Sequence, residues 1–161
     1  MERVVARDRV VADEVVIGEA GWRDLPGVNA LEKACFGHDA WSAIEVFLAL
    51  LGPNVRLKAM IGEWLVGFVI GEPHLHEGFA WIATLGVHPE FQRRGIAQRL
   101  LAEAEARLNT PVLKLTVRQS NGPALALYEK FGYAPVSRWE RYYSGSEAGI
   151  VMEKRRTTAD R

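Results

Sequence analysis

The chain has 161 residues, of which 48% are hydrophobic and 25% are charged, ordinary values for one globular domain. Its 20 basic residues balance its 20 acidic ones, which argues against a nucleic-acid surface or an anionic membrane as a partner. Cys35 is the only cysteine, so an internal disulfide is excluded and a reducing cytoplasm is expected. Charged residues at positions 3, 7, 8 and 9 interrupt any signal-peptide core, and no apolar run approaches the roughly 20 residues of a membrane helix.

The N-terminal third of the chain is predicted to begin the fold with one strand and two helices. Residues 1–12 are interpreted as an extension that precedes a first strand at residues 14–19. Asp24 is expected to cap the first helix, because its carboxylate can accept hydrogen bonds from free N–H groups of the first turn. Ser42, with Glu45 three residues later, has the pattern of a capping box and predicts a second helix that ends at the break near position 52.

The rest of the chain is predicted to alternate between strands and two more helices. Gly62 and Glu63 form the turn of a hairpin between two β-rich segments. Helices are predicted at residues 95–108 and in a short segment with Pro123 in its first turn. Strands are predicted at residues 55–61, 65–71, 79–87, 112–117, 136–143 and 149–153. This order predicts an α/β (α+β) fold, with one mixed sheet and helices on both faces, in a domain at residues 13–154 followed by a polar tail at 155–161.

One continuous run, from Thr84 to Ala97, joins the end of a strand to the start of a helix. The first turn of a helix carries free N–H groups and the positive end of the helix dipole, and so it binds phosphates. Gly95 and Ala97 are small enough to let a pyrophosphate approach the backbone closely. Arg93 and Arg94 add positive charge at the same place. The run therefore predicts a pyrophosphate site, although a turn with two small residues for packing would show the same pattern.

A second block supports the first. Residues 115–133 have the sequence LTVRQSNGPALALYEKFGY. Together the two blocks resemble the GNAT acyltransferases, whose pyrophosphate signature is Q/R-x-x-G-x-G/A, and the resemblance extends from about residue 14 to residue 154. A dinucleotide-binding fold is a poor alternative, because its glycine-rich turn should follow the first strand. The resemblance implies a mixed, mostly antiparallel sheet in which the fourth and fifth strands splay apart to hold acetyl-CoA.

The resemblance also implies which residues hold the co-substrate acetyl-CoA. No metal is expected, because no third Cys, His or Asp lies at ligand spacing from His74 and His76. The strand end at Leu85 and Val87 is expected to hold the pantetheine arm through its backbone, while its side chains pack in the core. Asn121 matches an asparagine that contacts the pantetheine, although its position before Pro123 suits a helix cap equally well. The full set of predicted cofactor-binding residues is Leu85, Val87, Gln92, Arg93, Arg94, Gly95, Ile96, Ala97, Gln98, Asn121 and Tyr128.

Tyr128 is the predicted catalytic residue. It matches the tyrosine that GNAT enzymes place beside the thioester sulfur, and a phenol with a pKa of about 10 stays protonated at neutral pH. Such a group can donate a proton or a hydrogen bond to a departing thiolate. The alternative is an ordinary aromatic residue on the core face of a short helix.

Within the superfamily, the chain is most similar to Nα-acetyltransferases, in particular to bacterial enzymes that acetylate the N-terminal alanine of a ribosomal protein. The loop at residues 35–42, the turn at 117–121 and residues 141–143 before the last strand carry this similarity. By this resemblance Phe36, Trp41 and Tyr142 line a groove that binds the acceptor peptide. The alternative is that these aromatic residues anchor loops.

Two positions depart from the family pattern. The bacterial ribosomal-protein enzymes have a glutamate base where this chain has Thr116, and many GNAT enzymes have a glutamate or tyrosine where it has Trp81. Neither side chain accepts a proton at neutral pH. A base must then be an ordered water or a residue from elsewhere, such as His76 or Glu77, and nothing in the sequence selects between them.

These observations predict a single-domain N-acetyltransferase that moves an acetyl group from acetyl-CoA to a primary amine. A protein or peptide Nα-amino group is the expected acceptor. Two alternatives stay open, a small-metabolite amine as acceptor and a catalytically silent acyl-CoA-binding module. The chain is expected to be a cytoplasmic monomer or homodimer without a nucleic-acid or membrane partner.

Overall fold

Four α-helices and seven β-strands make up the fold in the computed structural model, which describes residues 14–161. The helices are α1 (Leu25–Phe36), α2 (Ala43–Leu51), α3 (Ile96–Arg107) and α4 (Gly122–Lys130). The strands are β1 (Val15–Glu19), β2 (Val55–Ile61), β3 (Trp64–His74), β4 (Phe79–Val87), β5 (Val112–Arg118), β6 (Ala134–Tyr143) and β7 (Glu147–Arg155). The element order is the predicted one, and β3, β6 and β7 are longer than their sequence patterns indicated.

All seven strands join one sheet, in the order β1-β2-β3-β4-β5-β7-β6. Neighbouring strands are antiparallel except for β4 and β5, which run parallel. These two strands pair only at their first residues, from Phe79 opposite Val112 to Trp81 opposite Lys114, and then separate. The structure therefore confirms the predicted fold class, a mixed and mostly antiparallel sheet with a splay between its fourth and fifth strands.

Helices cover both faces of this sheet, because each face carries its own apolar cluster. On one face, α1 and α2 pack on β3 through Val28, Leu31, Val46, Leu50, Phe68 and Ile70, each at most 3% exposed. On the other face, α3 packs on the sheet through the fully buried side chains of Leu100, Leu101 and Ala104. Glycine in β3 lets this helix lie close, since a Cβ at Gly71 would come within 2.7 Å of Leu108 Cδ1.

The starts of α1 and α2 differ in how well the sequence predicted them. At α2 the capping box is confirmed: the Ser42 N–H donates to Glu45 Oε2 at 2.8 Å, and the Glu45 N–H donates to Ser42 Oγ at 3.4 Å. The capping role predicted for Asp24 is wrong, because its side chain makes no capping hydrogen bond to α1. Its carboxylate instead accepts from the Gly21 N–H at 2.9 Å and from the Lys58 ammonium at 2.7 Å. A tertiary ion pair has replaced the local cap.

The segment after β7 is tied to the domain by Arg156. This residue is only 7% exposed, and its guanidinium donates to the carbonyls of Thr110 and Glu105, each at 2.7 Å. The polar tail predicted at 155–161 thus carries a buried anchor near its start.

The predicted extension at residues 1–12 lies outside the described residues. Within residues 14–161, no helix is both long and apolar enough to cross a bilayer.

Candidate active site

The separation of β4 from β5 leaves the second half of β4 without a strand partner on that edge. On its other edge β4 pairs with β3, and the register skips Ala83 between Ile82 and Thr84, which forms a β-bulge. Beyond the bulge, Val87 is 7% exposed and Leu85 is half-buried, with both side chains against the core. Because these side chains are committed to packing, the backbone of this strand end is the part available to a ligand between the strands.

The connection from β4 to α3 forms a cradle of backbone N–H groups. Arg93 and Gly95 both have left-handed conformations, with φ angles of 62° and 77°. The Arg99 N–H donates to the Gly95 carbonyl at 3.1 Å, so the N–H groups of the three preceding residues have no acceptor within the helix. Successive N–H groups in such turns make concave anion sites. A Cβ added at Gly95 would meet no atom within 4 Å, which leaves room for a phosphate.

Several side chains of the segment from Gln92 to Gln98 make contacts within the protein. Gln92 Nε2 donates to the Val87 carbonyl at 3.1 Å and so folds the loop back onto the strand end. The Arg94 guanidinium lies over the Phe91 ring, 5.1 Å from its centroid, and Ile96 is in the core with 2% exposure. The exposed members of the motif are Gln92, Arg93, Arg94, Gly95 and Gln98, and Ala97 is half-buried. The arrangement fits a pyrophosphate held by backbone N–H groups with arginines nearby.

Two side chains of α1 tie that helix to the end of β4. Cys35 Sγ donates to the Val87 carbonyl at 3.3 Å, and Thr84 Oγ1 donates to Glu32 Oε1 at 2.8 Å. Burial raises the pKa of the Cys35 thiol to about 11, and the Glu32 carboxyl acts in the same direction. Burial also raises the pKa of Glu32, against hydrogen bonds from Thr84 and the Trp41 N–H. Because the thiol stays protonated, Cys35 packs and anchors rather than acting as a nucleophile.

Tyr128 lies on α4 and is buried in the core beneath α3, with 8% exposure. Its ring makes an edge-to-face contact with Tyr133, with centroids 5.8 Å apart. Burial raises the pKa of Tyr128 to about 12. The phenol therefore keeps its proton across the physiological range and can act as a donor. Burial, then Tyr142, then Tyr128 raise the pKa of Tyr143 on β6.

Asn121 occupies the N-cap position of α4. Its Oδ1 accepts a hydrogen bond from the Ala124 N–H at 3.2 Å, and Pro123 follows in the first turn. The helix-cap alternative therefore describes what this oxygen does in the structure. A contact between Asn121 and a pantetheine stays a prediction.

The three residues predicted to line an acceptor groove fall into two groups. Phe36 and Trp41 pack against the core beneath α1 and α2, and the Trp41 N–H donates to Glu32 Oε2 at 3.3 Å. Both aromatic residues thus anchor the loop between the two helices, as the alternative expected, and their contact with an acceptor peptide stays a prediction. Tyr142 is 52% exposed and lies on β6 beside Trp139, with ring centroids 5.1 Å apart.

A charged cluster around Arg118, at the end of β5, was not predicted from the sequence. The Arg118 guanidinium donates from Nε to Asp39 Oδ2 at 2.8 Å, reaches Ser144 Oγ at 2.8 Å and also binds Glu147. Asp39 Oδ1 accepts from the Ser144 N–H at 2.9 Å, and Glu147 Oε1 accepts from the Ser120 N–H at 2.7 Å. One side chain therefore joins the α1–α2 loop, the β6–β7 loop and the segment that leads into α4.

Hydrogen bonds set the ionisation of this cluster. Burial alone would raise the pKa of Asp39, but the Ser144 N–H and the Arg118 guanidinium hold it below its ordinary value. Hydrogen bonds from Ser120 and Arg118 lower the pKa of Glu147. A lowered carboxyl pKa favours the folded form above the unfolded pKa of about 4, and that contribution is lost as the pH falls through the folded value. The cluster is therefore expected to be intact at neutral pH and to loosen only in acid.

Replacing Arg118 with alanine is expected to loosen both loops with little change in Tm, because partly exposed ion pairs contribute little to global stability. Amide hydrogen exchange should become several-fold faster at Ser144 and Ser120, whose N–H groups donate to the carboxylates of the cluster. Arg138→Ala, which removes an exposed ion pair on β6, is the matched control and should leave both amides unchanged. Unaltered exchange in Arg118→Ala would contradict this role.

Thr116 and Trp81, which stand at the family's usual base positions, lie on one face of the sheet. Leu115 and Ile82 belong to the core beneath α3, so the alternation of strand side chains places their neighbours Thr116 and Trp81 on the opposite face. This face, next to the separated strands, is termed the acceptor face. Neither of the two side chains is a proton acceptor at neutral pH. Among residues 14–161, no group of three or more metal-ligating side chains occurs.

His76 and Glu77, considered from sequence as replacement bases, lie in the short turn that precedes β4. They are therefore at the end where β4 and β5 are still paired. At about 3.3 Å per residue, Val87 lies roughly 26 Å further along the strand. Both side chains thus lie at the paired end of the two strands, and a role for either as the base stays a prediction.

Comparison with known proteins agrees with this geometry. The sequence model of the Acetyltransferase (GNAT) family matches residues 22–133. The chain is 35% identical to the N-alpha-acetyltransferase RimI of Mycobacterium tuberculosis over 151 residues, which cover 89% of the chain and 93% of that protein. It is 34% identical over 100 residues to the N-terminal acetyltransferase B complex catalytic subunit NAA20 of Arabidopsis thaliana, covering 58% of the chain and 57% of the plant protein. The chain thus spans about three fifths of the length of several curated relatives that it matches.

Solved structures show the same fold. The ribosomal-protein-S18-alanine N-acetyltransferase from Escherichia coli superposes with a TM-score of 0.81 and 25% identity, covering 88% of the chain and 94% of that protein. NAA60 of Arabidopsis thaliana in complex with acetyl-CoA gives a TM-score of 0.76 at 21% identity, over 89% of the chain and all of that protein, a likeness of fold. The splayed sheet and the N–H cradle define an acyltransferase scaffold. The chain belongs to the acetyltransferase (GNAT) family, as the two sequence blocks predicted.

Proposed function

We propose that this protein transfers the acetyl group of acetyl-CoA to the Nα-amino group of a protein or peptide. The proposal rests on the splay between β4 and β5. Protonated Tyr128 lies in the core on the α3 face of the sheet, and on the opposite, acceptor face Thr116 and Trp81 take the place of the usual bases. The relatives support this acceptor, since one is an N-alpha-acetyltransferase and another is a ribosomal-protein-alanine N-acetyltransferase.

An α-amine suits this acceptor face because it needs little help to lose its proton. Its pKa is about 7.7–8.0, so roughly a tenth of it is neutral and nucleophilic at pH 7. A lysine amine has a pKa of about 10.4, so only about one lysine side chain in 10³ is neutral at pH 7. The acceptor therefore arrives as the neutral amine, and the excess proton on its nitrogen passes to water after attack.

The chain's own groups then act on the thioester. A backbone N–H in the strand end from Leu85 to Val87 donates to the carbonyl oxygen, on which negative charge grows as the amine nitrogen bonds to the carbonyl carbon. Tyr128 donates its phenolic proton to the departing sulfur as the C–S bond breaks. The products are the N-acetylated acceptor and the free thiol of CoA, and the phenolate regains its proton from solvent.

Two peptides test the choice of acceptor. One has a free N-terminus and no lysine, and the other has a blocked N-terminus and a single internal lysine. The first should be acetylated well below pH 8 and, at pH 7, about 10²-fold faster than the second, which is the ratio of the neutral fractions of the two amines. Initial rates with acetyl-CoA, with mass spectrometry to locate the acetyl group, measure this ratio.

The other outcomes separate the alternatives. Equal rates on the two peptides, or a preference for lysine, would refute the Nα assignment and imply a base elsewhere in the site. Turnover of small amines without turnover of peptides would favour the metabolite alternative. Binding of acetyl-CoA with no turnover of any amine would favour a catalytically silent module, an outcome that the presence of Tyr128 argues against.

We further propose that the protein works in the cytoplasm as a monomer or a homodimer. Cys35 is a free cysteine, and a free thiol suits a reducing compartment. Light scattering during size-exclusion chromatography distinguishes the two oligomeric states.

A further inference from the structure

Four aromatic side chains form a continuous surface on the acceptor face. Their ring centroids are 6.1 Å apart between Trp81 and Trp139, 5.1 Å between Trp139 and Tyr142, and 4.8 Å between Tyr142 and Tyr143. These four residues are termed the aromatic ribbon. Trp81 lies on β4 and the other three lie on β6, so the ribbon extends across β5 and β7, which stand between those strands in the sheet.

An irregularity in β6 brings the ribbon into place. Between Trp139 and Tyr143, β6 has two more residues than the facing part of β7, so the strand bulges there. A Cβ at Gly149 of β7 would lie 2.8 Å from Thr116 Cγ2 and 3.0 Å from Tyr142 Cδ1. The missing side chain at Gly149 therefore lets Tyr142 lie against β7, close to Thr116.

Two rings of the ribbon are exposed to solvent, and the lysine ammonium next to Trp81 is paired with a carboxylate. Trp139 is 39% exposed and Tyr142 is 52% exposed. The Lys114 ammonium lies 5.9 Å from the centroid of the Trp81 ring, but it pairs with a Glu153 carboxylate oxygen at 3.5 Å. A rigid aromatic surface of this kind favours contact with a bulky apolar or aromatic group.

The position of the ribbon relative to the splay determines which part of an acceptor meets it. Tyr142 adjoins Thr116, on the part of β5 that has separated from β4, and Trp81 is the last paired residue of β4 before the opening. An acceptor amine that reaches the strand end near Leu85 from the acceptor face therefore brings the adjoining carbon of the acceptor close to the ribbon. In a peptide, that carbon carries the side chain of the first residue.

We propose that the aromatic ribbon binds the side chain of the acceptor's first residue and selects a bulky apolar or aromatic residue there. The inference rests on the proposed Nα-acetylation and adds the class of N-terminus that is acetylated. Peptides that begin with phenylalanine, leucine or methionine should have a kcat/KM at least about tenfold higher than those that begin with alanine or serine, the usual scale of discrimination by apolar contact.

The test uses peptides that differ only in their first residue, with kcat/KM measured for the native protein and two variants. Trp139→Ala should bring the ratio between the phenylalanine and alanine peptides close to one, mainly by raising KM for the phenylalanine peptide. Trp64→Ala is the matched control, because it removes a tryptophan that is 68% exposed at the start of β3, outside the ribbon. This control should keep the native ratio.

Each result decides a separate point. A ratio near one in the native protein, or a preference for small first residues, overturns the ribbon proposal and leaves Nα-acetylation intact. Equal losses on both peptides in Trp139→Ala also overturn it, since the residue would then have a structural role only. If that variant does not fold, Tyr142→Ala supplies the same comparison. Acetyl-CoA binding without acetylation of any peptide would defeat the proposed function and, with it, the inference about the first residue.

Discussion

Replacing Tyr128 with phenylalanine is expected to lower kcat by about 10²-fold or more, the usual loss when a general acid is removed. The ring and its edge-to-face contact with Tyr133 remain, so the packing of α4 is preserved. Affinity for acetyl-CoA should change little, because the hydroxyl contributes when the C–S bond breaks rather than when the ligand binds. Steady-state kinetics and a calorimetric titration with acetyl-CoA measure the two quantities separately.

Tyr133→Phe is the matched control for this substitution. The Tyr133 hydroxyl is buried and donates to Glu105 Oε1 at 2.8 Å. Its removal should lower Tm, because a buried carboxylate loses a donor, yet kcat should stay close to the native value. Full activity in Tyr128→Phe, or equal losses of activity in the two variants, would make Tyr128 an ordinary core aromatic. That alternative is compatible with its position in the sequence.

Features that depend on neighbours in sequence were predictable. The capping box of Ser42 and Glu45 involves groups three residues apart, and the left-handed residue at the start of α3 was marked by Gly95. The separation of β4 from β5 was predicted differently, through the resemblance of two sequence blocks to a known family. Nothing in the apolar pattern of the two strands forbids further pairing, so periodicity alone would not have predicted the splay.

Features that depend on distant contacts were not predictable from local patterns. The Asp24 carboxylate pairs with Lys58 on β2 and does not cap α1. Asp39 and Arg118 meet although they are 79 residues apart, and their residue types are common on solvated surfaces. The position of Tyr142 against Gly149 depends on the bulge between Trp139 and Tyr143, and the residues within that bulge include no glycine or proline. Such contacts follow from the assembled sheet, and they form most of the acceptor face.

Replacing Gly95 with valine is expected to abolish the rise in Tm that acetyl-CoA gives the native protein. A ligand present at 100 times its Kd stabilises the folded state by about 2.7 kcal/mol, or roughly 5–10 °C in Tm for a domain of this size. In the free protein no atom lies within 4 Å of the position of a Cβ at Gly95, so the new side chain occupies open space. A pyrophosphate held by the first turn of α3 would need that same space.

A matched control separates this effect from backbone strain. Gly95 has a φ of 77°, a conformation that disfavours any residue with a Cβ, and β-branched residues most of all. Gly78, in the turn before β4 and far from the start of α3, has a φ of 75°. Gly78→Val should therefore lower the Tm of the free protein by a similar amount and keep the shift with acetyl-CoA. A shift that persists in Gly95→Val, or one that disappears in both variants, would contradict a pyrophosphate site at the start of α3.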